Sequence, residues 1–510
     1  MGVIFNEAEA VWEWLMTHLI VINLLFSIII IFFQRRDPRS VWTWLFALNF
    51  IPVFGIIFYL LFGQDLKKSR MFKVKGISDR LNMPVKSQEE IIRSSDIPEE
   101  MMDPLIRDFR SLILYNLETS GAVLTTDNQV KIYTDGQAKF EGLRTALRRA
   151  SRFIHIQYYI IKNDEVFDSI VPILEDKVRE GVEVRILYDG MGGRFMPKRR
   201  WEELRRAGIL VGVFFPPILG WLNLRVNYRN HRKIVVIDGN VGFVGGFNIG
   251  REYISKDPGF GYWRDTHLRI TGEAVMSLQI RFALDWNYAT GENLFKNEAY
   301  FRTDLKKKTD VRRDKERPAW PDPELEGSQV GMQIIASGPD TREPHIRNNY
   351  LELFHKAKHH IYIQTPYFVP DDAIFSALKM AALSGVDVRL MIPCKPDHPF
   401  VYRATCSYAG ELLDYGAKVY IYTNGFLHSK GIMVDGRVCC YGTANMDIRS
   451  FELNFEVNAT IYDEAVTAEL EQAFMNDLPH CCQITREDYK KRGLLTRIRE
   501  QGSRLLSPLL

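Results

Sequence analysis

The sequence predicts an α/β protein in which a two-helix transmembrane hairpin precedes two duplicated α/β sandwich domains related by pseudo-two-fold symmetry. Three observations carry this expectation. Residues 16–33 and 41–62 contain no Asp, Glu, Lys or Arg. An alternating helix–strand pattern then runs twice through the remaining chain, as a duplicated α/β domain would. Within it, the spacing His-x-Lys-x4-Asp occurs once in each copy, at His231 and at His428.

Each uncharged run is long enough to cross about 30 Å of hydrocarbon as a helix. Trp12, Trp14, Trp42, Trp44 and Tyr59 lie near the ends of the runs, where an aromatic belt would sit. Glu7, Glu9 and Glu13 replace the basic start of a cleaved signal peptide. The short link Gln34 to Ser40 returns the chain to its starting side. Lys67, Lys68, Arg70, Lys73 and Lys75 follow the second run and favour a cytoplasmic bulk domain, although Arg35, Arg36 and Arg39 in the link dissent.

Composition divides the chain further. The hairpin occupies 1–66, with helices at about 12–33 and 41–62. A juxtamembrane linker with lead-in helices spans 67–120, and the first domain 121–296. A charged linker bearing Pro318, Pro321 and Pro323 covers 297–330, the second domain 331–490, and an amphipathic tail 491–510. In the first repeat the pattern predicts a helix over 140–150, a strand over 153–161, a helix over 166–179 and a strand over 182–187. The second repeats this order at 349–357, 361–368, 374–384 and 386–392. Matched residues lie between 197 positions (His231 to His428) and 208 positions (Gly208 to Gly416) apart. The tail pairs Leu494, Leu495, Ile498, Leu505 and Leu506 with Arg497, Arg499 and Arg504, a pattern that suits a membrane surface or docking on the core.

The net charge of +3 supplies no whole-molecule field for nucleic acid. Basic residues are clustered instead, as at Lys198 to Arg200, Lys306 to Lys308 and Lys490 to Arg492, which suits an anionic membrane as well as an ordinary solvated face. The six cysteines show neither C-x-x-C spacing nor a framework pattern, so free thiols are expected.

The repeated motif has the chemistry of phosphoryl transfer. Ile234 to Ile237 is a β-branched strand run, Asp238-Gly239-Asn240 a turn, and Val241 to Val244 the returning strand of a hairpin. His231 and Lys233 alternate onto one face at its start, and His428 and Lys430 do so in the second copy. A neutral imidazole attacks phosphorus, and an ammonium neutralises phosphoryl oxygens. Two copies brought together supply one imidazole on each side of the phosphorus: one attacks to give a phosphohistidine, and the other moves the proton. The residues alone leave open which does which. Asn248 and Asn445, each ten positions after a motif Asp, are candidate donors to the phosphate. Asp265 and Glu456, each opening a later strand, are candidates to orient an imidazole through its second nitrogen. Asp238 and Asp435 serve either the chemistry or the D-G turn they begin. No carboxylate cluster of metal-ligand type accompanies the motifs.

The repeats differ in one place. Gly208 to His231 spans 23 positions and Gly416 to His428 only 12. The extra residues include the apolar stretch Phe215 to Leu222, which suits immersion in lipid or burial under a domain interface.

The two motifs resemble the paired HKD motifs of the phospholipase D superfamily, and the layout of nearly the whole chain is similar to that of its bacterial cardiolipin synthases. The resemblance implies a catalytic set of His231, Lys233, Asp238, His428, Lys430 and Asp435, with His231 attacking and His428 as acid and base. It implies no metal and no cofactor. It also implies phosphatidyl transfer between two phosphatidylglycerol molecules with release of glycerol, in a multi-pass protein of the bacterial inner membrane. Its partners would be phosphatidylglycerol and anionic membrane rather than nucleic acid. Two other classes share parts of this pattern: a phospholipase D-type hydrolase or transphosphatidylase with another donor, and a non-catalytic membrane scaffold.

Overall fold

The computed structural model describes residues 14, 17–19, 21–33, 38–51, 53, 55–56, 59, 88–89, 103–216, 228–301, 329–341 and 343–505. Contacts divide the chain into one unit that takes in residues 1–67 and 217–228 and a second that holds the rest of both repeats.

In the first unit, helix runs through residues 21–28, continues as the π-helical turn Ile29–Phe33, and resumes at Pro38–Phe50. Ile30, Trp44, Leu48 and Tyr59 form its small core. Tyr59 meets Trp44 and Phe26 edge-on, at centroid distances of 5.4 and 5.3 Å. The polar Asn23 and Ser27 are buried, whereas Phe32, Trp42, Phe46 and Phe50 face outward. Among the described residues no helix is long and apolar enough to cross a membrane, and much of the predicted hairpin lies outside them.

The second unit is built on one continuous sheet that is nearly a palindrome. From its first-repeat edge the strands run Leu210–Phe214, Glu183–Asp189, Phe153–Tyr158, Ile234–Ile237, Val241–Gly245, His267–Thr271 and Thr125–Tyr133. The second repeat continues with Val330–Ser337, Asn454–Tyr462, Val438–Gly442, Gly431–Val434, His360–Gln364, Asp387–Pro393 and Lys418–Tyr422. The halves join where Thr125–Tyr133 pairs antiparallel with Val330–Ser337, at Thr125↔Met332 and Asn128↔Val330, with a register shift between the two pairs. A pseudo-two-fold axis passes through that seam. Cys481–Ile484 adds one antiparallel edge strand to the second half, with no counterpart in the first among the described residues.

Both faces of each half are covered by helices. Gly242 lies under helix Ala274–Thr290, where an added Cβ would come within 2.7 Å of Leu278 Cδ1. Its neighbour Phe243 turns to the opposite face and joins Phe140, Leu143, Leu147 and Leu174 in the core. The motif hairpins turn tightly because both central residues have positive φ: 56° and 74° at Asp238-Gly239, 55° and 67° at Asp435-Gly436. This is the type I′ geometry that matches strand twist.

Two expectations need correction, and a third falls largely outside the described residues. The helix predicted over 166–179 is two, Glu165–Asp168 and Val171–Arg179, because Pro172 lacks the N–H to continue a helix and instead starts the second. The linker assigned to 67–120 is partly core: Phe109, Leu112 and Ile113, from helices near Pro104–Asp108 and in Arg110–Ser120, pack into the second repeat. Asn116 ties that segment down through Gln333 and Asn349 at 3.2 and 2.9 Å. The stretch Phe215 to Leu222 lies outside the described residues from 217 onward, while Phe215 itself is buried against Phe214, Tyr288 and Phe455. All six cysteines are free.

Candidate active site

Each histidine is delivered to the other repeat by a short cross-repeat strand pairing. Arg229–Asn230 runs parallel to Asn454 and Phe455, and Phe426–Leu427 runs parallel to Trp263 and Arg264. The next backbone bonds extend both pairings. The His231 N–H donates to Phe455 O at 3.0 Å, and the His428 N–H donates to Arg264 O at 2.7 Å. The residue that follows on each partner segment is the acid. His231 Nδ1 lies 2.9 and 3.0 Å from the two carboxylate oxygens of Glu456, and His428 Nδ1 lies 2.6 Å from Asp265 Oδ2. Because a carboxylate only accepts, each pair favours the Nδ1–H tautomer and leaves Nε2 with its lone pair for chemistry.

The acids are themselves fixed, by different means. Glu456 accepts from Thr443 Oγ1 at 2.5 Å and from Asn454 Nδ2 at 3.3 Å. Asp265 accepts from the Thr266 N–H at 2.8 Å and fills space beside Gly246, where a Cβ would stand 1.9 Å from its Oδ1. The aligned positions Gly246 and Thr443 thus suit a short and a long carboxylate. Aromatic rings wall the imidazoles: Tyr159 lies edge-on to His231 at 5.1 Å, and Trp263 stands 5.0 Å from His428.

Burial sets the protonation states. Removal from water pulls the His231 imidazole below its ordinary pKa, outweighing the opposing pull of Glu456. Burial and the nearby Lys430 charge bring His428 to about 4. Both imidazoles are therefore neutral at pH 7, the form needed for attack. Burial lowers Lys233 to about 7 and Lys430 to about 8, and each also feels the opposing pull of Glu456 and Asp265. Glu456 and Asp265 stay below the usual carboxylate range: burial is the largest single influence and pushes both up, but His231, Lys233 and Thr443 around Glu456, and Lys430, His428 and the Thr266 N–H around Asp265, together outweigh it. An anionic phosphodiester entering between the lysines would favour both ammonium forms. Lys233 Nζ donates to His231 O at 2.6 Å, while Lys430 Nζ donates to His428 O and lies 2.7 Å from its Nδ1.

Not every predicted residue reaches this centre. Asp238 and Asp435, counted in the catalytic set, are corrected to structural residues. Asp238 accepts the backbone N–H groups of Ser151, Arg152 and Phe153 at 2.7–2.9 Å, and Asp435 those of Lys358, His359 and His360 at 2.7–2.8 Å. Each clamps the loop before a strand to the motif hairpin. Asp238→Ala should therefore cost about 1–3 kcal/mol in thermal or chemical unfolding, by stranding buried donors. The folded fraction should keep far more activity than a histidine variant, and equal losses per folded molecule would restore Asp238 to the chemistry. Asn248 is engaged in the frame, accepting from Ile160 N at 3.1 Å and donating to Tyr253 OH at 3.0 Å. Asn445 is different: its buried Oδ1 has no partner among the described residues.

The residues missed by sequence reasoning form two clasps behind the histidines, whose glutamines and aspartates correspond between the repeats while both arginines come from the first. Buried Arg232, between His231 and Lys233, meets both oxygens of Asp285 at 2.6 Å and reaches Glu456 O and Ser337 O, each at 3.1 Å. Gln157 donates to the same Asp285 at 2.7 Å. On the other side Arg264 meets Asp477 at 2.9 and 3.0 Å, and Gln364 joins it at 2.8 Å. The aligned phrases IHIQ and IYIQ carried this signal in Gln157 and Gln364.

The family described as "Cardiolipin synthase, PLD-like domain" matches residues 143–260 and 350–478, one stretch per repeat. A cardiolipin synthase of Listeria innocua is 45% identical over 500 residues, covering 98% of this chain and 99% of its own. The chain belongs to the cardiolipin synthase family of the phospholipase D superfamily. A second cardiolipin synthase, from Staphylococcus aureus, is 47% identical over 492 residues, 96% of this chain and 95% of its own. The phospholipase D-nuclease N-terminal family matches residues 21–64. Among solved structures, a phosphatidylserine synthase of Haemophilus influenzae shares the fold at a TM-score of 0.56 and 16% identity, over 80% of this chain and 97% of its own. In family terms, the duplicated domain is the two-HKD core, and the palindromic sheet is its frame.

Proposed function

We propose that the chain is a membrane-bound cardiolipin synthase that transfers a phosphatidyl group between two phosphatidylglycerol molecules. The observation that carries this reading is the pair of neutral imidazoles, each held by a carboxylate of the opposite repeat. His231 Nε2 attacks the phosphorus of the first phosphatidylglycerol, and the phosphorus–oxygen bond to the headgroup glycerol breaks. As the anionic phosphodiester binds, His428 Nε2 takes up a proton from water; it gives that proton to the departing alkoxide, and glycerol leaves. The terminal hydroxyl of a second phosphatidylglycerol then gives its proton to His428 and attacks the phosphohistidine. The phosphorus–nitrogen bond breaks, cardiolipin departs and both imidazoles are restored. Lys233 and Lys430 offset charge on the phosphoryl oxygens, and Asn445 supplies a further polar contact.

Residues 1–66 we read as the membrane hairpin, with the bulk of the chain on the cytoplasmic side. The uncharged runs, the inward Asn23 and Ser27 and the outward Phe32, Trp42 and Phe46 support this, as does the basic run that follows. The catalytic domains are taken as 121–296 and 331–490, with 103–120 counted to the second by its packing.

Labelled phosphatidylglycerol in mixed micelles tests the reaction, with cardiolipin and free glycerol as the expected products. Phosphatidic acid in place of cardiolipin would make the enzyme a hydrolase. Because protein ammonium groups offset the phosphate charge, turnover should survive excess chelator. Loss of activity with EDTA, restored by one particular divalent ion, would contradict this.

A further inference from the structure

The C-terminal helix Leu494–Leu505 docks the wrong way round for a protein in water. It packs on helix Pro399–Leu412 through its polar side. Glu500 and Ser503 are its buried residues, Glu500 pairs with Arg492, and Arg504 reaches Glu411 at 2.5 Å. Its apolar residues point outward: Leu494 is 74% exposed, Ile498 59% and Leu505 82%, with Leu495 exposed beside them. At about 100° per residue, these four side chains fall within an arc of about 100°. Arg497 and Arg499 flank the arc on its two sides, both exposed. Ahead of the helix stand Lys490 and Lys491, also exposed.

We infer that this helix is an interfacial membrane-binding element, which lays its leucine face into the headgroup boundary of an anionic bilayer. An amphipathic helix with a narrow apolar arc flanked by cations has the form that lies in the plane of a membrane. The charge distribution selects the occupant. The helix's single acid is turned inward and paired, so the outward surface presents hydrocarbon and positive charge together. Anionic lipid complements both, whereas a second copy of the same basic face would meet like charge. The inference concerns how the domain meets the bilayer and stands independently of the reaction assigned above.

The test uses the full chain in lipid nanodiscs. Ile498→Cys in a Cys482→Ser background carries a nitroxide, and the labelled background protein supplies the correction for other thiols. In phosphatidylglycerol-containing discs the label should be reached by dissolved oxygen in preference to a water-soluble nickel chelate. In discs of phosphatidylcholine alone that preference should fall by about an order of magnitude, since each basic residue near an anionic surface contributes to attraction. Preference for nickel in both lipids overturns the inference, and so does equal immersion in both. Spin–spin broadening between labels would assign the face to a second copy. Shielding from both reagents would assign it to another part of the chain. Lys490→Glu with Arg499→Glu alters only exposed side chains, so it should leave thermal stability unchanged while abolishing immersion. Immersion that persists in this variant likewise overturns the inference.

Discussion

His231→Ala and His428→Ala should each reduce phosphatidyl transfer by about 10⁴-fold or more, the scale seen when one member of a cooperating nucleophile–base set is removed. Either loss alone suffices because the halves share one reaction. Without His231 no covalent adduct forms, and without His428 the leaving glycerol has no proton source. The two variants should separate in single-turnover experiments. His428→Ala retains the nucleophile and should still accumulate phosphatidyl-enzyme from a donor with a good leaving group such as p-nitrophenol, which needs no acid. His231→Ala should form none. Adduct in the reverse pattern would exchange the two roles, and substantial turnover in either variant would mean that the repeats act separately.

Asp285→Ala should produce the largest loss of stability, about 3–5 kcal/mol, because it leaves the fully buried Arg232 guanidinium without its counter-charge. Gln157 and Asn230 lose an acceptor at the same time. Asp285→Asn keeps oxygen at the site and should lose distinctly less. Chemical denaturation read by tryptophan fluorescence measures both. A loss below about 1 kcal/mol for the alanine variant would show that water or a shift of Arg232 relieves the buried charge. Activity should fall with stability, since Arg232 binds the carbonyl of Glu456, the residue that orients His231.

Much of this was legible in the sequence because the local chemistry is strong. A β-branched run, a D-G turn and a second run specify the motif hairpin without help from the rest of the chain, and they do so twice. The repeat offsets gave the α/β duplication for the same reason. Other features depend on partners far away in sequence. Nothing near Asp265 indicates that it serves His428, 163 positions later. Arg232 looks like a surface charge beside a motif until Asp285, on helix Ala274–Thr290, is seen to pair with it in the interior. Composition also misled at 103–120, where a segment rich in charge hides Phe109, Leu112 and Ile113 along one side. For Asp238 the motif and the turn competed for one residue, and the three backbone donors decide for the turn.

The exchange of acids across the seam also bears on how one chain came to divide labour between two similar halves. Two identical subunits assembled about a true axis would present two identical histidine–carboxylate pairs, each equally suited to either task. Covalent fusion removes that constraint, because each copy can then drift on its own. Here one pair has a short acid backed by glycine, and the other a long acid backed by threonine. Their immediate surroundings differ too: Glu456 and Lys233 act on His231, whereas burial and the Lys430 charge bring His428 to about 4. In the mechanism proposed above, this inequality would separate the residue that bonds to phosphorus from the residue that trades protons. Restoring symmetry by giving both halves the same acid would test whether that inequality, rather than the mere presence of two histidines, is what duplication preserved.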